Sequence, residues 1–355
     1  MKSGCSIRQL IVPALCLMLA GCESLGYYSQ AVLGQLSILS KREDIEALID
    51  DAATPQPLKD KLNTILDIRA FAETELLLPV DNNFATYVDL EQPFVVWNVF
   101  AAPEFSLQAQ RWCYPIAGCV TYRGYFKEAR ARQYAAQLQA QGMDVYVGGV
   151  SAYSTLGWFA DPVLSTVINR EDYRLAALLF HELAHQQVYV PGDTEFNESF
   201  ATAMEQEGLR RWLRANQVNE ARSQQIIEQA REDAERREQF VAMVSQTVSQ
   251  LESLYATADS PESKRESKAV ILSDMKNNYK QLKTQWGGNT AYDGWMSQDL
   301  NNAQLSTVST YFNWVPAFER LLQEQDNDLA AFYQEVAALE QLGAEQRAAA
   351  LAARL

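Results

Sequence analysis

The stretch RLAALLFHELAHQQV, residues 174–188, constrains the fold more than any other part of the chain. It is made of strong helix formers, with no Pro or Gly to interrupt it, so it reads as a helix. Both histidines of the chain, His181 and His185, fall inside it. On a helix a spacing of four puts them on one face, one turn apart and offset by about 40°. Two imidazoles held in that way can bind one Zn²⁺ at roughly 2.0–2.1 Å. Glu182 lies beside them, placed to take a proton from a water activated by the metal, which completes an HExxH arrangement.

A hydrolytic zinc site takes a third protein ligand and leaves the fourth position to water. No histidine remains, so the third ligand is expected to be a carboxylate, from among Asp193, Glu195, Glu198, Glu205 and Glu207. Pro191-Gly192-Asp193 marks a turn, and a second helix begins near Thr194 or Asn197. Glu198 falls in its first turn, where a returning chain faces His185; Glu205 lies two turns later on a neighbouring face. Stabilising a tetrahedral oxyanion needs a further donor, commonly Tyr or His. Tyr311 is the candidate, with Tyr279 and Tyr292 as rivals. Residues 147–153, VGGVSAY, form a strand and turn along whose edge an extended peptide could lie.

Outside this segment the layout is mixed. From Leu36 to Leu78 the pattern is helical, broken by Pro55 and Pro57. PFVVWNVFAAP, GCVTYRGYF and DVYVGGVSAY read as strands, and KEARARQYAAQLQAQG between them as a helix ended by Gly142. After Asp161-Pro162 nearly everything is helical: 171–189, 195–214, a charged solvated stretch from 217 to about 257, 263–285, 299–325, and 327 to the end. The fold class expected is α+β, mainly α, zincin-like, with a small sheet and a helical C-terminal half. The mature chain, 22–355, is read as one unit with an α/β part over 22–165 and a helical part over 166–355.

The first residues, MKSGCSIRQLIVPALCLMLAGC, place Lys2 and Arg8 ahead of an apolar run too short to span a bilayer, which is the pattern of a signal peptide over 1–21. Leu19-Ala20-Gly21-Cys22 resembles the bacterial lipobox, so Cys22 is expected to be lipidated and to anchor the protein to a membrane surface facing the periplasm. Glu23 in place of Asp favours the outer membrane over the inner. Cys113 and Cys119 are then the remaining pair, expected to form a short-loop disulfide in that oxidising compartment. Acidic residues outnumber basic ones 45 to 30, which argues against a nucleic-acid partner.

HELAHQ followed by NESFATAME resembles the HELAHQW and NEGFASYxE motifs of gluzincin metallopeptidases of the aminopeptidase N type. The resemblance implies that Glu198 is the zinc-ligand glutamate, that Asn197 is its neighbour, and that Glu205 supports a ligand from behind. The wider chain, with its lipobox, CYPIAGCVTYRGYF, AYSTLGWF and YFNWVPAF, resembles a family of bacterial lipoproteins described as predicted aminopeptidases. What this implies is zinc-dependent removal of N-terminal residues from peptides. Two departures stand out: twelve residues rather than about eighteen separate His185 from the glutamate, and no GxMEN stretch is present to capture a free amino terminus. The alternatives are an envelope endopeptidase and a non-catalytic, lipid-anchored binding protein with a structural metal.

Overall fold

A computed structural model describes residues 26–114, 118–151, 160–308 and 314–355. Cys22, Tyr311 and the residues of the strand-and-turn segment beyond Ser151 lie outside these. In chain order the elements begin with helix α1 (26–40), strand β1 (Glu43–Asp44), α2 (Ile45–Asp50), α3 (Gln56–Thr74), β2 (Thr86–Val88) and β3 (Val96–Pro103). A hairpin of β4 (Trp112–Tyr114) and β5 (Gly118–Val120) follows, then β6 (Arg123–Tyr125), α4 (Glu128–Gln139) and β7 (Met143–Val150). After β8 (Val163–Leu164) the described chain is helical: α5 (Ser165–Ile168), α6 (Asp172–Gln187), α7 (Thr194–Ala215), α8 (Glu220–Tyr255), α9 (Pro261–Gln285), α10 (Asp293–Met296), α11 (Asn302–Leu305), α12 (Val315–Glu324), α13 (Leu329–Glu340) and α14 (Ala344–Ala352). The fold is therefore α+β and mainly helical.

Two long helical stretches expected from the sequence are divided. The 299–325 stretch gives α11, which ends at Leu305, and α12, whose first turn is set by Pro316, a residue that fits a helix start and breaks an interior. The C-terminal stretch divides at Gly343, which caps α14. At the other end, α1 begins ten residues before the helical pattern was legible.

The largest core joins α3, α6, α7, α12 and α13. Leu62, Ile65 and Ile68 of α3 meet Leu175, Leu179, Phe180 and Leu183 of α6, while Phe196 and Phe200 of α7 pack against Phe318 and Phe332. α6 is thus buried on the face away from its histidines, and burial of these large side chains at about 1.5–3 kcal/mol each fixes its position. The central sheet has the order β6-β3-β7, all antiparallel, in register at Trp97↔Gly149 and Phe100↔Tyr146. Trp97, Val99 and Ala101 point to α4, whose Ala131, Ala135 and Leu138 close that side. A separate three-stranded sheet, β1-β2-β8, leads the chain into α5 and α6, with β2 and β8 parallel. α8 and α9 form an antiparallel pair with its own core around Phe240, Met243, Val244, Leu251 and Met275. Lys268 ties that pair to the sheet: it is buried, bonded to Asp144 at 2.6 Å and to the Glu104 carbonyl at 2.9 Å. Cys113 and Cys119 are disulfide-bonded across the β4-β5 hairpin. Among the described residues no helix is long and apolar enough to cross a membrane.

Candidate metal centre

α6 ends at Gln187 because the chain turns extended at Val188, and the return to α7 takes only six residues. Three devices make so short a turn. Gly192 adopts φ +85°, which a side chain would oppose. Asp193 caps α7 by accepting from Phe196 N at 3.1 Å, and its other oxygen receives two 2.8 Å bonds from the buried Arg347 guanidinium of α14. Asn197, 2% exposed, accepts from Val190 N at 2.8 Å through Oδ1 and donates to Val190 O at 2.9 Å through Nδ2. Asn197 therefore pins the turn to the helix residue immediately before Glu198.

The consequence is convergence on the polar face of α6. Helix α7 starts at Thr194, so Glu198 opens its second turn rather than lying in its first. Its carboxylate reaches both imidazoles: Oε2 is 3.4 Å from His181 Nε2 and Oε1 is 3.6 Å from His185 Nε2. The His181 and His185 rings stand 5.0 Å apart and nearly perpendicular. One ligand atom from each of His181, His185 and Glu198 lies within 4.8 Å of the others. A tetrahedron with bonds of about 2.0–2.1 Å has edges of about 3.3–3.4 Å; the 3.4 Å between Glu198 Oε2 and His181 Nε2 is of that size, while His185 meets the other carboxylate oxygen at 3.6 Å.

The remaining candidates separate by position. Glu205 Oε2 is 3.1 Å from His181 Nδ1, behind the face that meets Glu198. An acceptor there fixes the tautomer that leaves Nε2 free to ligate. Asp193 is committed to the cap and Arg347, and Glu207 to Arg210 and Arg211. Tyr279 and Tyr292 pack in the α8–α9 core, where the Tyr279 hydroxyl donates to Asp293 at 2.6 Å. β7 is an edge strand of the central sheet: among the described residues nothing pairs with the side away from β3.

Electrostatics follow the same grouping. Burial works against a charge on His181, yet Glu198, Glu205 and Glu182 together outweigh it and push its pKa up to about 10. His185 is shifted down by burial and by the charge of His181. For Glu198 burial is outweighed by the two histidines, and its carboxyl is held below the usual range. Glu182 moves the other way, raised by burial and by the neighbouring Glu198, Asp161 and Glu205, with His181 opposing. A carboxyl raised in this way is suited to hold a proton, and one lowered is suited to hold a cation.

Three residues at the site carry no motif signal. Tyr189 follows His185 by four residues and its ring lies 6.4 Å away, so extending the spacing-of-four rule one step past the helix would have found it. Asp161 is buried close enough to raise Glu182. Arg347 steadies the turn from 154 residues away, and nothing local in the sequence announces that.

Fold and site together define a helical protein with a preformed group able to hold a metal ion. The chain belongs to the family described as "Putative aminopeptidase", whose model matches residues 26–351. No curated protein and no solved structure matches it.

Proposed function

We propose that the protein is a zinc-dependent peptidase with a zincin-like site, which removes N-terminal residues from peptides at the periplasmic face of a membrane, with lipid on Cys22 as its anchor and the outer membrane as its location. The observation that carries the reading is the approach of Glu198 to His181 and His185 on α6, with Glu182 beside them and close enough to feel the charges of His181 and Glu198. His181, His185 and Glu198 would hold the metal, and Glu205 orients His181 through its Nδ1. A divalent ion bound there would supply Lewis acidity to a carbonyl and to water. Glu182 accepts the proton of the attacking water and returns it to the departing amine, and its raised pKa suits that exchange. Tyr311 is the proposed donor to the oxyanion.

Membership of the aminopeptidase family supports a peptide substrate. The aminopeptidase description of that family supports the amino end of the peptide. The test pairs each peptide of a short set with its N-acetylated form. Cleavage confined to the free forms is the expected result. Equal cleavage of both makes the protein an endopeptidase, and no cleavage of either by the zinc-loaded protein refutes the enzyme reading.

A further inference from the structure

Residues 26–40, GYYSQAVLGQLSILS, contain no charged side chain, although the chain as a whole carries a net charge of −15. The helix they form, α1, has two unlike sides. One is docked: the Tyr27 ring stacks on Tyr114 at 5.4 Å, Gln30 Nε2 donates to Gly124 O at 3.1 Å, Ile38 is buried, and a Cβ at Gly34 would overlap the Phe126 ring. The other faces outward at successive turns and is apolar, with Tyr28 40%, Val32 56%, Leu33 65% and Leu36 52% exposed. Only the hydroxyls of Ser29, Ser37 and Ser40 interrupt it. Exposed apolar residues scattered singly need no explanation, but four on one uncharged helix face form a patch.

Beside this face is a second feature. A cavity of about 880 Å³ runs along α1, and Lys41, Lys127 and Arg130 are exposed on its lining with Glu91 as the sole acid. A local excess of cations next to an apolar helix face, in an acidic protein, is the arrangement that suits the boundary between lipid headgroups and acyl chains. Covalent geometry selects the same occupant. Four residue steps join Cys22 to Gly26, a reach of at most about 14 Å, so acyl chains on Cys22 would hold the start of α1 at the bilayer surface.

We propose that the outward face of α1 lies in the headgroup–acyl boundary of a phospholipid bilayer, with Tyr28, Val32, Leu33 and Leu36 in the lipid and Lys41, Lys127 and Arg130 at the phosphates. This rests on the reading of Cys22 as the lipid anchor. It adds that the folded domain is held in one orientation on the membrane rather than hanging from a tether.

With Cys22 acylated and Cys113 bonded to Cys119, an introduced cysteine is the one free thiol of the mature protein. The lipid-modified protein is reconstituted in phosphatidylcholine–phosphatidylglycerol vesicles with a nitroxide on V32C or L36C, and on V270C of α9, 60% exposed, as the aqueous reference. The expected result is a ratio of oxygen to nickel-chelate accessibility at 32 and 36 at least about tenfold above that at 270. Water-like ratios at both positions overturn the proposal, and spin–spin broadening there overturns it in favour of a second copy of the chain. Vesicle flotation reports on the anchor separately. Should the protein prove not to be lipid-held, partitioning of the full chain on the same vesicles decides the matter. A V32S/L33S/L36S variant binding at least about tenfold more weakly sustains the proposal, because three exposed apolar groups are worth more than about 1.4 kcal/mol; unchanged binding ends it.

Discussion

Asn197→Ala removes the side chain that pins the turn between α6 and α7 and leaves Glu198 itself in place. Both bonds of Asn197 go to the backbone of Val190, at 2.8 and 2.9 Å. Their loss strands one N–H and one C=O, at about 1–3 kcal/mol for each group that stays buried. Val190 is half-buried, so water reaches part of this and the lower end applies. The expected destabilisation of the metal-free protein is about 2–3 kcal/mol, or a fall in Tm on the order of 5 °C for a chain of this size. The loosened turn also carries Glu198, the proposed third ligand. If half of the loss is transmitted to the placement of Glu198, zinc affinity falls about tenfold. Urea unfolding of the metal-free variant gives the first quantity and chelator competition the second. Unchanged zinc affinity in a protein that has lost the stability would show that the turn does not position Glu198.

Other outcomes follow from the same geometry. Glu182→Gln is expected to retain zinc and lose peptide turnover by about 10²–10⁴-fold, measured on a free-amino peptide; turnover within a few-fold of wild type would remove Glu182 from the mechanism. Glu205→Ala takes the acceptor from His181 Nδ1 and is expected to weaken zinc binding about 10–100-fold, read by chelator competition; a change below twofold would mean that the 3.1 Å contact is incidental. Zinc uptake should release close to one proton at pH 7.5, because His181, with its pKa near 10, carries a proton that ligation must displace, whereas the downward-shifted His185 carries none. Affinity then rises about tenfold for each unit of pH towards 10. Calorimetry in buffers of different ionisation enthalpy counts the proton, and a count of zero contradicts the charge assignment.

The metal group was legible because its information is local. His181, Glu182 and His185 lie on one uninterrupted helix, and Glu198 follows after a turn whose Gly192 and Asp193 are visible as residue types. A spacing of twelve residues leaves little freedom in where α7 can return. The position of Arg347 on Asp193 was not legible, since it depends on how α14 packs after some 150 intervening residues. The same holds for the sheet, whose order places β3 between β6 and β7 through pairings that span up to 54 residues. Helix α1 escaped notice for another reason: an element that is apolar on its buried and exposed sides alike has no amphipathic period to detect. Pro316 was the signal that should have divided the 299–325 stretch, because proline belongs at a helix start.

The most direct test of the account is elemental mass spectrometry on untagged protein purified without added metal or chelator, with Glu198→Ala prepared alongside. The account predicts close to one zinc per wild-type chain and less than about a tenth of that in a variant with unchanged circular dichroism. A variant that keeps a full equivalent, or a wild-type protein that takes up none when offered zinc, would contradict it.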